Sequence, residues 1–250
     1  MHRFFVDTRQ INPVQNQIII INEDVKHISK VLRLREKDTV EICDGANMEY
    51  ICKIQSVGKD NIKLSITEKK QSISEPPIKV MLYQGIPKGN KMDLIIQKTV
   101  ELGVTEILPV EMKRTVVQFS GGRDKQNKVE RWQKIALEAA KQSKRGIIPT
   151  VHFPVSFDDA LEHSERNQLN IMPYENEDKK GFKDVIKSLN SDNIDKVGIW
   201  IGPEGGLDEK EVIKASENGT YTITLGPRIL RTETAGLTVL SLMMYELGDL

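Results

Sequence analysis

The chain has 250 residues, 38% of them hydrophobic, with 36 Lys and Arg balancing 36 Asp and Glu. That length is enough for one large domain or two smaller ones with real cores, and no run reaches the ~18 apolar residues of a membrane span. The two cysteines, without a Cys-x-x-Cys or a histidine pair at ligand spacing, favour reading Cys43 and Cys52 as small core hydrophobes over a disulfide or metal site.

Met1–Phe5 lacks the apolar stretch of a secretory signal, so a cytoplasmic protein is expected. A short helix fits Glu23–Leu32 with Asn22 as its N-cap. Strands fit Thr39–Cys43, Met48–Val57 and Asn61–Thr67, separated by the turn signals Asp44–Asn47 and Gly58–Asp60, which suggests a small barrel or meander over residues 1–70. Residues 71–77 are polar, end in Pro76-Pro77 and mark the domain boundary.

From residue 78 to 250 strands and helices alternate. Strands fit Ile78–Gln84, Glu106–Val110, Thr150–Phe153, Leu169–Met172, Val197–Ile201 and Tyr221–Leu225. Helices fit Met92–Leu102, Lys125–Lys144, Phe157–Ser164, Phe182–Leu189, Glu209–Asn218 and Glu233–Leu247, with Asp208 and Glu211 spaced as a capping box. Such alternation implies an α/β domain with a mostly parallel sheet. In the last helix no charge falls between Ala235 and Tyr245, so it is buried on all sides, either within its own domain or against a second subunit.

Charge is segregated along this second part. Residues 76–150 carry 14 basic and 7 acidic side chains, and residues 151–250 carry 10 and 18. On the Lys125–Lys144 helix, Arg131, Lys134 and Lys141, with Arg145 beyond its end, share a stripe opposite the apolar Val129, Trp132, Ala136, Ala139 and Ala140. The stripe is either a phosphate-contacting face or an ordinary solvated one. Arg3, Arg33, Arg35, Lys88, Lys91, Lys98 and Arg114 are further candidates for RNA contact. Arg33 and Arg35 flank Leu34, so in an extended segment both face one side. Scarce aromatics argue against single-strand reading by stacking.

Two segments concentrate the chemistry: Ile201-Gly202-Pro203-Glu204-Gly205-Gly206 and Leu225-Gly226-Pro227-Arg228-Ile229-Leu230-Arg231-Thr232-Glu233-Thr234-Ala235. Each follows a parallel strand and enters a helix, the position where α/β sheets build ligand sites. The second sets two guanidiniums ahead of a helix N-terminus, where the macrodipole disfavours cations by ~0.3–1 kcal/mol each. Their presence there points to a task other than helix stability. The usual P-loop, dinucleotide and nucleophile-elbow fingerprints are missing.

Together with Gln97–Val104, Arg131-Trp132 and Glu138–Ser143, these segments resemble the bacterial 16S rRNA (uracil-N3)-methyltransferases of the SPOUT class, nearly end to end. The resemblance implies a PUA-like barrel, an α/β domain with a deep trefoil knot, and a homodimer without metal or membrane. It also implies S-adenosylmethionine as cofactor and 16S rRNA or the small subunit as partner. The cofactor would contact Met172 and Pro173, residues 201–206 (Ile201, Gly202, Pro203, Glu204, Gly205, Gly206), and Leu225, Gly226, Ile229, Leu230, Thr234 and Ala235. Met172, Ile201, Leu225 and Leu230 would enclose the adenine.

In the implied reaction, uracil N3 attacks the donor methyl group after losing its imide proton. Arg231 or Arg228 would stabilise the anion. Glu233 or Glu204 would take the proton, unless Glu233 is simply a first-turn carboxylate pairing with the helix dipole or a cation. The alternative function is a catalytically inactive RNA- or ribosome-binding factor.

Overall fold

The computed structural model describes residues 1–189 and 194–250, which divide into two compact units. The first comprises residues 1–75 together with 140–148, and the second residues 76–139 and 149–250. One division thus falls between Glu75 and Pro76, and the segment 140–148 returns to the first unit.

The first unit contains β1 (His2–Phe5), β2 (Ile11–Asn12), β3 (Gln17–Ile21), α1 (Glu23–Lys26), β4 (Thr39–Cys43), β5 (Met48–Val57) and β6 (Asn61–Gln71). They form one mixed sheet in the order β1-β4-β5-β6-β3-β2, with β1 parallel to β4 and the other pairs antiparallel. Period-two alternation explains β3, where Ile18 and Ile20 are buried and Ile19 and Ile21 face out. Ile42, Cys52, Ile54, Ile62 and Leu64 complete this core. Burial pushes both cysteine thiols up to about 12, consistent with unreactive core side chains.

Three expectations for this unit need correction. The predicted 23–32 helix is α only to Lys26 and continues as a π-helical turn over His27–Val31, while Asn22 sits at φ +65° and makes no side-chain cap. β6 runs to Gln71, and the stretch read as a linker is held down: Ser72 donates to Glu49 Oε1 at 2.6 Å, and Glu75 accepts from the Arg145 side chain and from the amides of Gly146 and Ile147. Arg33 has φ +55°, so it and Arg35 are not flanking positions of an extended segment.

The second unit contains β7 (Lys79–Gly85), α2 (Lys91–Glu101), β8 (Glu106–Glu111), α3 (Gly122–Gln142, its last residues belonging to the first unit), β9 (Thr150–Val151), β10 (Val155–Ser156) and α4 (Phe157–Ser164). It continues with β11 (Leu169–Pro173), α5 (Phe182–Ser188), β12 (Lys196–Ile201), α6 (Glu209–Glu217), β13 (Tyr221–Ile223) and α7 (Thr232–Leu247). The sheet order is β10-β8-β7-β12-β11-β13 with β9 on β8, and every pairing is parallel. The central strands are buried on both faces, hence their continuous apolar runs. Asp208 caps α6 through the Lys210 amide, but Glu211 accepts from the Lys113 amide at 2.8 Å instead of closing the predicted box.

Along α7, Val239, Leu240, Met243 and Met244 are buried. Leu237, Thr238, Ser241, Leu242, Tyr245 and Leu250 line a shallow, mainly apolar depression, and Tyr245 is 71% exposed. No helix among the described residues is long and apolar enough to cross a membrane.

Candidate functional site

Because β7, β12, β11 and β13 are adjacent and parallel, the segments that follow them leave from one edge of the sheet. Close approach there depends on glycine. A Cβ at Gly85 would lie 2.6 Å from the Pro203 ring, so only glycine lets the end of β7 meet the turn after β12. Gly206 adopts φ +73°, the left-handed region. A hydrogen-bonded chain ties these parts together: Gln84 Nε2 donates to Thr232 Oγ1 at 3.0 Å, and that hydroxyl donates to the Gly202 carbonyl at 2.6 Å. Gln84 is fully buried, so the first turn of α7 is anchored to β7 from within.

Two adjoining hollows open at this edge. One, of about 490 Å³, lies between Pro173–Glu175 with Glu177 and Asp178 on one side and Thr224–Leu230 on the other. The second, of about 420 Å³, lies between Ile201–Leu207 and Ile229–Thr232, with Lys91 on its wall. Pro173, Glu175, Ile229, Leu230 and Ala235 belong to both. The glycine segments thus share a hollow.

Most residues singled out from the sequence line this space: Pro173, Ile201, Gly202, Pro203, Glu204, Gly205 and Gly206, with Leu225, Gly226, Ile229, Leu230 and Ala235. Two do not. Met172 is fully buried in the core with Tyr83, Leu108 and Trp200, since successive strand residues face opposite ways and Pro173 takes the open side. Thr234 is exposed on α7 outside both walls. Sequence reasoning missed Tyr174, Glu175 and Thr224, which carry no motif and become visible only when the strand order is known, and it gave no role to Thr232, which lies within the quoted segment.

Arg228 lines the first hollow and Arg231 the second. Arg231 is the N-cap residue of α7 and makes no side-chain cap. Both are exposed, and neither has a carboxylate partner among the described residues. The two glutamates behave differently. Lys91 Nζ lies 3.0 Å from Glu204 Oε1 and 3.6 Å from Glu233 Oε2, and the Lys88 amide donates to Glu204 at 3.1 Å. Partial burial pushes the Glu204 carboxyl up, but its own amide, the Lys91 ammonium and the Lys88 amide outweigh this and hold it below its ordinary value. Glu233 lines neither hollow; it is a first-turn carboxylate paired with a lysine.

The candidate RNA contacts are scattered. Arg3 is internal, with its guanidinium 2.6 Å from Glu49 and 3.6 Å from Glu41 and donating to the Arg145 carbonyl at 2.8 Å. Arg145 is 2% exposed and grips Glu75 through two bonds of 2.9 and 2.7 Å. Neither is a surface cation, so the stripe on α3 loses its last member. Arg131 pairs with Asp93, Lys141 lies 3.8 Å from Asp24, and Lys98 pairs with Glu101 at 2.9 Å. Arg114 donates to the Gly205 carbonyl at 3.0 Å and braces the glycine loop. Lys134, Arg33 and Arg35 are exposed, and Lys88 sits beside the hollow, its backbone N–H donating a hydrogen bond to the Glu204 carboxylate.

Comparison with known proteins agrees with this architecture. Residues 74–244 match the model of an RNA methyltransferase domain, and residues 20–67 that of an RNA methyltransferase PUA domain. The chain is 38% identical to ribosomal RNA small subunit methyltransferase E of Bacillus subtilis over 98% of its own length and 97% of the relative's. It is 36% identical to the protein of the same name in Mesomycoplasma hyopneumoniae, over 96% and 98%. The crystal structure of ribosomal RNA small subunit methyltransferase E from Neisseria gonorrhoeae bound to S-adenosyl methionine superposes with a TM-score of 0.86 at 31% identity, covering 100% of this chain and 99% of that one.

Proposed function

This chain belongs to the ribosomal RNA small subunit methyltransferase E family, and we propose that it transfers the methyl group of S-adenosylmethionine to N3 of a uridine in 16S rRNA. The observation that carries this reading is the meeting of the bends after β11, β12 and β13 around one divided hollow. Its apolar walls, Ile201, Leu225, Ile229 and Leu230, suit a purine, and Gly202, Gly205 and Gly206, having no side chains, offer backbone polar groups at the wall of the second hollow. When bound, the cofactor supplies an electrophilic methyl group on a sulfonium centre.

The protein's part is to position and to stabilise charge. Losing the imide proton spreads negative charge over N3, O2 and O4 of uracil. Arg231 and Arg228, both without carboxylate partners among the described residues, favour that anion through charge-assisted hydrogen bonds. Arg231 ranks first, because the first turn of α7 is anchored by Thr232 and Gln84 and holds it in place. Glu204 accepts the proton in preference to Glu233, since Glu204 faces the hollow and Glu233 does not. Lys91 lies between the two carboxylates and favours the ionised form of Glu204.

The exposed apolar face of α7 favours a homodimer, and the PUA-type first unit, with Arg33 and Arg35 exposed, favours contact with folded RNA. The knot is supported by the family likeness; in this chain the Thr224 amide donates to the Lys180 carbonyl and Gly181 bridges Thr224, which ties the segments after β11 and β13 together. A cytoplasmic site of action fits the rRNA substrate. An inactive binder is disfavoured by the open hollow and by Arg228 and Arg231, which have no carboxylate partner among the described residues. In a strain lacking the gene, mass spectrometry of 16S rRNA should show loss of one N3-methyluridine, restored by the wild-type chain and not by Arg231→Ala. An unchanged 16S modification profile would refute the proposal.

A further inference from the structure

Four carboxylates stand on the walls of the two hollows: Glu175, Glu177, Asp178 and Glu204. Two already have partners. Glu204 holds Lys91 and the Lys88 amide, while Glu177 accepts from the amides of Lys179 and Lys180 at 2.9 and 3.1 Å and from the Thr222 hydroxyl at 3.2 Å. Asp178 borders only the first hollow. Glu175 is the one carboxylate on both walls, and among the described residues it has no hydrogen-bond or ion-pair partner. It also lies against the glycine loop: a Cβ at Gly206 would come within 2.9 Å of Glu175 Oε1.

An unpaired carboxylate between two loops of a concave site attracts cations and repels anions. Resting on the reading of this hollow as the methyl donor's, we propose that Glu175 favours the sulfonium cation of S-adenosylmethionine over the neutral thioether product, S-adenosylhomocysteine. The two molecules share adenosine, α-ammonium and carboxylate groups. They differ by one methyl group and one positive charge, both at sulfur. A carboxylate acting on sulfur therefore separates them, whereas one acting on the ammonium treats them alike. The consequence for turnover is that the site's hold weakens once the methyl group has left.

The test is calorimetric titration of the full chain and of Glu175→Gln with three compounds: S-adenosylmethionine, S-adenosylhomocysteine, and the analogue carrying a protonated amine in place of the methylsulfonium. The expected result is a loss of roughly three- to tenfold in affinity for the two compounds charged at that position. S-adenosylhomocysteine should stay within about twofold. With the wild-type chain, added salt should weaken the charged ligands selectively. Equal losses for all three compounds, or none, would overturn the proposal while leaving the methyltransferase reading intact. Failure of the wild-type chain to bind any of the three would overturn that reading and this proposal together.

Discussion

Arg231 stands where a helix least tolerates a cation, at the N-cap of α7, with no carboxylate to compensate it among the described residues. Such an arrangement persists when the charge is needed for a ligand. Arg231→Ala should lower the single-turnover methylation rate about 10²-fold, as loss of one preorganised charge-stabilising donor does elsewhere. Arg228→Ala should cost less, and the reverse order would reassign the two. Lys91 offers a second test. Removing its ammonium leaves Glu204 and Glu233 without a cation between them, so Lys91→Met should weaken cofactor binding by about tenfold while Lys91→Arg recovers most of it. Glu233→Gln should change the rate by less than about threefold, because a paired first-turn carboxylate contributes little beyond local helix stability.

At the scale of elements, the segments after β12 and β13 were legible because glycine, proline and arginine occur where ordinary turns do not need them. The segment after β11 was read only as far as Pro173, since Tyr174, Glu175, Glu177 and Asp178 look like any polar loop. β1 and β3 were missed for a different reason: β1 is four residues long and pairs with β4 nearly forty residues away, a contact that no local pattern announces. Arg3 and Arg145 show the same limit in side chains. A buried arginine and a surface arginine are identical in sequence until their partners, Glu49 and Glu75, are located in space. Arg145→Ala should therefore destabilise the fold by about 1.5–3 kcal/mol in urea unfolding, because Glu75 loses its charge-assisted bonds to the guanidinium but keeps those from the Gly146 and Ile147 amides.

Two properties belong to the whole molecule. The first is its response to acid. Burial pushes the Glu49 carboxyl up, but the Ser72 hydroxyl, the Arg3 guanidinium and Lys70 prevail and hold it below its ordinary 4.5. A depressed carboxyl contributes stability that is complete above its unfolded value and is lost as pH falls through the folded one. The urea midpoint should accordingly be level from neutral pH to about 5 and fall below about 4.5, less steeply in Glu49→Gln. The second is assembly. Leu242→Asp on the open face of α7 should shift the particle seen by light scattering from dimer to monomer; a monomeric wild-type chain would contradict the proposed interface.

The reading as a methyltransferase rests on where the cofactor lies. Ultraviolet crosslinking of methyl-labelled S-adenosylmethionine to the intact chain, followed by peptide mapping, locates it directly. Label should appear in residues 173–178, 201–207 and 224–235, the three stretches that wall the hollows. Label confined to the first 75 residues, or spread evenly along the chain, would contradict it.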